Sequence, residues 1–235
     1  MKLKDSRILI TGGSLGIGKA TAKMLVESGA TVVITGRNKD RLEAAARETG
    51  AHPIVADVVN AKDRNRTYRE TQEKLGGLDV LINNAGIGQS ARVADMTLEF
   101  FQKVFTTNVF AAALMAQKAV EIFKEQNGGN IVNVASTAAL RGFEGGTIYG
   151  ASKFALRGMT ECWQAELRKF NIRVMGINPS EVTTAFGSSE GVERPEQSNK
   201  LRSEEIAHAI KAMLEMDNRG FIPELTVWAT NPWKE

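Results

Sequence analysis

The sequence contains one cysteine, two histidines and five prolines among its 235 residues. A single cysteine, Cys162, excludes an internal disulfide, and without a neighbouring histidine it is expected in the core or at an interface. His52 and His208 lie far apart in different contexts, so no histidine-based metal site is predicted. No biased or repetitive stretch indicates disorder or a repeat array. We therefore expect residues 1–235 to fold as a single domain.

Long apolar runs and blocks of like charge are also absent. No uninterrupted apolar stretch approaches the roughly 18 residues of a membrane span, and the charged start, Met1–Arg7, lacks the pattern of a signal peptide. We expect a cytoplasmic protein with no membrane partner. The formal net charge is +3, but the two signs alternate along the chain instead of forming a basic patch. No nucleic-acid partner is expected, whereas small anionic ligands are compatible with this charge.

Short apolar runs rich in β-branched residues alternate with longer amphipathic stretches. This pattern is typical of βαβ units, and right-handed crossovers would give an α/β fold, a doubly wound parallel sheet of about seven strands with helices on both faces. Strands are predicted at Arg7–Thr11, Thr31–Thr35, His52–Val55, Val80–Asn83, Ile131–Ala135, Arg173–Ile177 and Leu225–Ala229. Helices are predicted at Gly16–Ser28, Asn38–Thr49, Ala61–Leu75, Leu98–Phe123, Tyr149–Phe170 and Ser203–Met216.

A glycine-rich segment follows the first predicted strand and opens the first predicted helix; it reads Thr11-Gly12-Gly13-Ser14-Leu15-Gly16-Ile17-Gly18. Glycines let the backbone approach a ligand closely, and the start of a helix offers free N–H groups. A glycine-rich turn alone could be only a tight turn, but the strand-turn-helix context is the one that a pyrophosphate site requires. The sequence therefore predicts a dinucleotide-binding site.

This segment resembles the T-G-x-x-x-G-x-G motif of the short-chain dehydrogenase/reductase family. Three further motifs resemble that family in the right order: Asp57-Val58, Asn83-Asn84-Ala85-Gly86, and an Asn-Ser-Tyr-Lys set at Asn108, Ser136, Tyr149 and Lys153. The resemblance is nearest to the 3-oxoacyl-carrier-protein reductase group, and it implies a Rossmann fold and an oxidoreductase. The residues expected to bind the cofactor are Gly12, Ser14, Leu15, Gly16, Ile17, Gly18, Arg37, Asp57, Val58, Asn84, Ala85, Gly86, Tyr149, Lys153, Pro179, Val182 and Thr184.

The implied catalytic residues suit hydride transfer to a carbonyl, which leaves negative charge on oxygen. Tyr149 is expected to be the general acid in reduction and the base in oxidation, with its pKa lowered by the Lys153 ammonium and by the positive nicotinamide of the oxidised cofactor. Ser136 should orient the substrate oxygen, and Lys153 should also hold the nicotinamide ribose. Asn108 would bind a water that relays protons to Lys153; alternatively, it only bends the helix.

The end of the second predicted strand indicates the cofactor. An acidic residue there would bind the ribose 2′-hydroxyl and repel a 2′-phosphate, whereas this chain has Gly36-Arg37. A guanidinium suits phosphate, so NADP(H) is predicted. The alternative is that Arg37 is an ordinary solvated side chain.

The substrate is expected to be a small carbonyl compound or alcohol. Residues around Arg141–Gly146 and a lid at residues 183–203 are expected to select the shape of the substrate. The lid is predicted because this connection is long and has little periodicity, and ordered connections of that kind are usually functional. Asn127 and Phe170 stand where carrier-binding reductases tend to have basic residues. The apolar helix at Val109–Phe123 favours self-association into a dimer or tetramer.

Three functions stay open at this stage. The first is an NADPH-dependent ketone reductase, with 3-oxoacyl thioesters as the first substrates to try. The second is a dehydrogenase of a polyol, steroid or other secondary alcohol, because the chemistry is reversible. The third is a non-catalytic NADP-sensing module that retains only the fold.

Overall fold

The structure is a computed structural model that describes residues 1–187 and 192–233. Within this part of the chain the strands are β1 (Arg7–Ile10), β2 (Thr31–Gly36), β3 (His52–Val55), β4 (Val80–Asn83), β5 (Gly129–Val134), β6 (Ile172–Pro179) and β7 (Glu224–Val227). All pair in parallel, in the order β3-β2-β1-β4-β5-β6-β7. The order reverses between β1 and β4, and ligands of such sheets bind outside the carboxyl ends of the strands at this point.

Helices cover both faces of the sheet. They are α1 (Gly16–Glu27), α2 (Lys39–Thr49), α3 (Ala61–Leu75), α4 (Leu98–Phe105), α5 (Ala112–Glu125), α6 (Thr147–Leu167) and α7 (Ser203–Glu215). Strand residues alternate between two cores: Ile8 and Ile10 pack with α1, α2 and α7, whereas Leu9 packs with α3, α5 and α6. The predicted α/β fold with helices on both faces is thus confirmed.

One predicted helix is wrong in detail. The pattern indicated a single helix at Leu98–Phe123, but α4 and α5 are separated by a π-helical turn at Thr106–Ala111. Asn108 lies in this turn, is 1% exposed, and bonds through its amide to Ile87, a residue outside the helix. The wider turn accommodates that contact, and π-turns of this kind often mark functional sites.

The connection between β6 and α7 is largely irregular in its described parts. A single parallel bridge joins Val182 to Leu201, and α7 begins at Ser203. Four residues of the predicted lid, 188–191, lie outside the described residues.

Two smaller expectations concern the surface. Cys162 is exposed on α6, so of its two predicted places the core is wrong and an interface stays a prediction. None of the helices within residues 1–187 and 192–233 has the length and apolar character needed to cross a bilayer.

Candidate active site

Thr11, the residue after β1, ties the glycine-rich turn to the segment after β4. Its hydroxyl oxygen accepts hydrogen bonds from the backbone N–H groups of Asn84 and Ala85, both at 3.0 Å. The Asn84 amide in turn donates to the carbonyl oxygens of Thr11 and Gly12 at 3.0 and 2.9 Å. These four bonds hold two of the predicted cofactor-binding segments together at the carboxyl ends of β1 and β4.

The turn itself has no room for side chains at two of its glycines. Gly12 has a φ of +68°, and a Cβ there would lie 2.9 Å from the Cα of Ala85. A Cβ on Gly18 would lie 2.3 Å from the carbonyl oxygen of Gly12. Ile17 lies between them in sequence and packs against the core. Close packing therefore requires glycine at both positions, and at Gly12 the positive φ requires it as well.

The beginning of α1 offers an anion site. Leu15 precedes the helix without a side-chain capping bond, and the first turn contains no acidic residue. The Gly16 N–H donates to Oε1 of Glu193 at 3.1 Å. A carboxylate from a distant part of the chain thus stands where an anionic ligand would bind, and Ser14 lies beside Gly36 at the neighbouring corner. The turn fits the pyrophosphate of a dinucleotide.

The predicted adenosine-binding residues lie at the ends of β2 and β3. Arg37 is exposed one residue beyond β2, and the ion pairs within the described residues do not include it. The Asp57 carboxylate accepts from the Val59 N–H at 3.1 Å, and the Val58 carbonyl accepts from Nη1 of Arg64 at 2.8 Å. These bonds order the β3–α3 turn beside the end of β2, the strand that Arg37 follows. An exposed guanidinium and an ordered acidic turn therefore border the same end of the cleft.

The segment after β6 closes the opposite side of the glycine-rich turn. Pro179 is the last residue of β6 and is buried. The Thr184 methyl lies against Gly16, 3.1 Å from where a Cβ would be. Arg194 donates to the carbonyl oxygens of Thr184 and Val182 at 3.0 and 3.3 Å. The two bonds of Arg194 therefore hold this segment in place. They also keep the preceding residue, Glu193, where its carboxylate reaches the beginning of α1.

The four predicted catalytic residues meet in one cleft. A Cβ on Gly86 would lie 3.3 Å from Oδ1 of Asn108 and 3.6 Å from Nζ of Lys153, so both side chains border this glycine. The Lys153 Nζ is 5.7 Å from the ring centroid of Tyr149. Ser136 follows β5, and its hydroxyl is near enough to the Tyr149 phenol to lower the pKa of that phenol. A hydroxyl, a phenol and an ammonium thus lie next to one another beside the loop that follows β4.

Asn108 links two other segments of the cleft. Its Oδ1 accepts from the Ile87 N–H at 2.9 Å, and its Nδ2 donates to the Ile87 carbonyl at 2.9 Å and to Oγ of Ser152 at 3.1 Å. The Ser152 hydroxyl then donates to the Tyr149 carbonyl at 2.7 Å. The π-turn is therefore bonded both to the loop after β4 and to the first turns of α6.

Burial shifts the ionisation of the phenol and the ammonium in opposite directions. Burial raises the Tyr149 pKa, and the hydrogen bond with Ser136 offsets only part of this effect. The Lys153 pKa is lowered by burial to about 8, while its Nζ donates to the Val134 carbonyl at 2.9 Å. Burial thus raises the Tyr149 pKa in the protein alone, whereas the expected lowering, which included the charge of the oxidised nicotinamide, stays a prediction for the cofactor-bound enzyme. The phenol is protonated at neutral pH, as a proton donor must be.

Sequence reasoning missed three residues of the cleft. Ser152 was overlooked although it stands directly before Lys153. The Phe186 ring packs 5.5 Å from the Tyr149 ring, centroid to centroid, and covers that side of the cleft. Phe186 and Glu193 fall within the predicted lid, but an aperiodic segment gives no register from which their contacts could be inferred.

Comparison with known proteins agrees with this geometry. The model of the short chain dehydrogenase family matches residues 6–194. The chain therefore belongs to the short-chain dehydrogenase family and is an oxidoreductase, which confirms the resemblance drawn from its motifs.

Individual relatives are similar over nearly the whole chain. An uncharacterized oxidoreductase of Staphylococcus aureus (strain N315) is 32% identical over 228 residues, which cover 96% of this chain and 97% of that protein. The crystal structure of 3-ketoacyl-(acyl-carrier-protein) reductase from Brucella melitensis, complexed with NADH, superposes with a TM-score of 0.88 at 28% identity, covering 98% and 100% of the two chains. An alcohol dehydrogenase from Thermococcus sibiricus, complexed with 5-hydroxy-NADP, gives 0.87 at 26% identity, covering 98% and 99%.

Proposed function

We propose that this oxidoreductase uses NADP(H) to interconvert a ketone and a secondary alcohol. The observation that supports this most directly is the cluster of Ser136, Tyr149 and Lys153, in which a protonated phenol lies between a hydroxyl and a buried ammonium. When bound, the nicotinamide supplies the hydride. The glycine-rich turn is the proposed place for the pyrophosphate of that cofactor, which would replace the Glu193 carboxylate at the Gly16 N–H.

Each residue of the cluster has a distinct role in this proposal. Ser136 donates a hydrogen bond to the substrate carbonyl and fixes its orientation. Tyr149 gives its proton to the same oxygen as negative charge develops there, and takes it back in the reverse direction. The Lys153 ammonium stabilises the phenolate that remains and holds the nicotinamide ribose. Asn108 positions the first turns of α6 through Ser152 and supports the supply of protons to Lys153.

The preference for NADP(H) over NAD(H) rests on Arg37. Its guanidinium is exposed and unpaired within the described residues, at the corner where the 2′-position of the adenosine ribose is expected. A planar guanidinium binds phosphate through two parallel hydrogen bonds, which a ribose hydroxyl cannot match. Because solved relatives contain NADH in one case and 5-hydroxy-NADP in another, the preference must be measured on this protein.

The first test is a panel of ketones, including an acetoacetyl thioester, mixed with the protein and NADPH or NADH while cofactor absorbance is followed. Oxidation of NADPH in preference to NADH is expected, and Arg37→Asp should reverse that preference. Tyr149→Phe should abolish turnover but leave NADPH binding intact. If that variant turns over a ketone as fast as the wild type, the role of Tyr149 is wrong. If NADPH binds and no ketone or alcohol reacts, the protein is instead a sensing module.

The substrates we place first are 3-oxoacyl thioesters, since a 3-ketoacyl-(acyl-carrier-protein) reductase is among the solved relatives. Oxidation of a secondary alcohol is the alternative, and the alcohol dehydrogenase relative gives it the same kind of support. We also propose self-association, because Phe110, Leu114 and Phe154 are exposed on helices beside the cleft. Sedimentation would distinguish a dimer or tetramer from a monomer.

A further inference from the structure

An arginine lies on a tryptophan at the edge of the cleft. The guanidinium carbon of Arg141 is 4.9 Å from the ring centroid of Trp228. Both residues are exposed, and Arg141 takes part in none of the ion pairs within residues 1–187 and 192–233. A guanidinium stacked on an aromatic ring has a restricted orientation while the N–H groups on its edge stay available to a ligand.

The pair stands at the same end of the sheet as the proposed catalytic residues. Arg141 follows Ser136 after a single 3-10 turn, and its N–H donates to the Thr137 carbonyl at 3.3 Å. Trp228 directly follows β7, whose last residue accepts from the Ser180 N–H at 2.8 Å. The stacked pair therefore spans from the end of β5 to the end of β7, over the segment that leaves β6. This is the region outside the carboxyl ends of the strands in which substrates of such sheets bind.

Exposed apolar side chains share this end of the sheet with the guanidinium. Leu140, Phe143 and Phe186 are all exposed at the same end of the sheet. Glu144 is the acidic residue of the loop, and it too is outside the described ion pairs. An oriented cation among apolar groups, without an acidic partner, is suited to a ligand that has an apolar part and one negative charge.

We propose that Arg141, oriented by Trp228, binds the carboxylate of the substrate, so that the enzyme prefers a free oxo acid to its uncharged ester or thioester, and oxo acids take the place of 3-oxoacyl thioesters as preferred substrates. This inference rests on the proposed function, because it takes the ketone to lie against Ser136 and Tyr149. The guanidinium would hold the carboxylate through two parallel N–H···O bonds, while the apolar rim contacts the rest of the substrate. Arg141 would then determine specificity, and Trp228 would be a positioning residue.

The experiment compares acetoacetate with methyl acetoacetate, which differ in charge but offer the same ketone. With NADPH, the wild type is expected to have the higher kcat/KM for acetoacetate. In Arg141→Gln the ratio of kcat/KM for acetoacetate to kcat/KM for the ester should fall about tenfold, mainly through a higher KM for acetoacetate. This loss corresponds to about 1.4 kcal/mol of binding energy. Arg141→Lys should recover part of the ratio, and Trp228→Ala should lower it less. Arg168→Gln, at the exposed far end of α6, is the matched control and should leave the ratio unchanged.

The outcomes separate this inference from the proposed function. Two results would overturn the role of Arg141: a kcat/KM for the acid that is no higher than that for the ester, or a ratio that is unchanged in Arg141→Gln. Either result would leave the proposed ketone reductase activity intact, because the ester is still reduced. If neither compound is reduced, the proposed function fails for these substrates, and calorimetric titration of acetoacetate into the NADPH-loaded protein decides the inference alone. Binding that weakens about tenfold in Arg141→Gln supports the carboxylate site, and binding unaffected by the substitution refutes it.

Discussion

Replacing Lys153 by Met keeps the length of a buried side chain while removing its charge. Burial lowers the Lys153 pKa from its ordinary 10.5 to about 8. At about 1.36 kcal/mol for each pH unit between these values, burial of the protonated side chain costs the folded protein about 3 kcal/mol. Met removes this cost but leaves the Val134 carbonyl without its donor, a loss of about 1 kcal/mol. We therefore expect Lys153→Met to raise the free energy of unfolding by about 2 kcal/mol at neutral pH.

The gain should depend on pH with a definite sign. Below the folded-state pKa of about 8 the side chain is protonated in both states, so the wild type pays the full cost of burial. Between about 8 and 10.5 the unfolded chain still binds the proton while the folded chain does not, so the wild type becomes more stable as pH rises. Above this window both states are neutral at Lys153. The advantage of the variant should therefore shrink through this window and become a disadvantage of about 1 kcal/mol at its upper end, where only the lost bond to the Val134 carbonyl remains.

Urea unfolding of wild type and variant at about pH 7 and about pH 10, without cofactor and at equal protein concentration, measures this effect. Lys62→Met, at an exposed position of α3, is the control for the gain of a methionine. Activity should be lost in Lys153→Met and retained in the control. A variant less stable than the wild type at neutral pH, or one whose stability difference is the same at both pH values, would refute the reasoning.

Two further substitutions test the cofactor site. Glu193→Gln should tighten NADPH binding about fivefold, because the carboxylate, whose bond to the Gly16 N–H is worth about 1 kcal/mol, no longer competes with the pyrophosphate. Fluorescence titration measures this affinity, and an equal effect of Glu196→Gln would argue against the competition. Gly18→Ala should lower stability by about 1–3 kcal/mol, because its Cβ would lie 2.3 Å from a backbone carbonyl oxygen. Gly158→Ala, in open space on α6, should be neutral or stabilising in the same thermal unfolding assay.

Much of the fold follows from local patterns. The predicted bounds of β3, β4 and α3 agree with the structure, because apolar periodicity and the polar turns between these elements determine them. The predicted helix at Leu98–Phe123 was only partly right. Its interruption depends on the bond between Asn108 and Ile87, two residues that come together only when the sheet has formed. Local periodicity contains no information about such a contact.

The sequence was sufficient to predict which residues form the candidate site, but not how deeply they are buried or which distant residues contact them. The motifs named Ser136, Tyr149 and Lys153, and these side chains do meet in the cleft. The raised pKa of Tyr149 in the protein alone was not predictable, because it depends on how deeply the folded chain buries the phenol. The contact between Glu193 and the glycine-rich turn was equally hidden, since it joins residues that are far apart in the chain.

The buried polar groups of the cleft satisfy one another, and this explains how the fold tolerates them. Asn108 bonds to Ile87 in the loop after β4 and to Ser152 on α6, while Lys153 bonds to Val134 at the end of β5. An unpaired polar group in this position would cost several kcal/mol, and pairing removes most of that cost. Because each bond joins a different crossover connection, the network also fixes the phenol-bearing turn of α6 relative to the strands. The same interactions that make the buried lysine tolerable therefore hold the catalytic geometry, and loss of any one of them should disturb both.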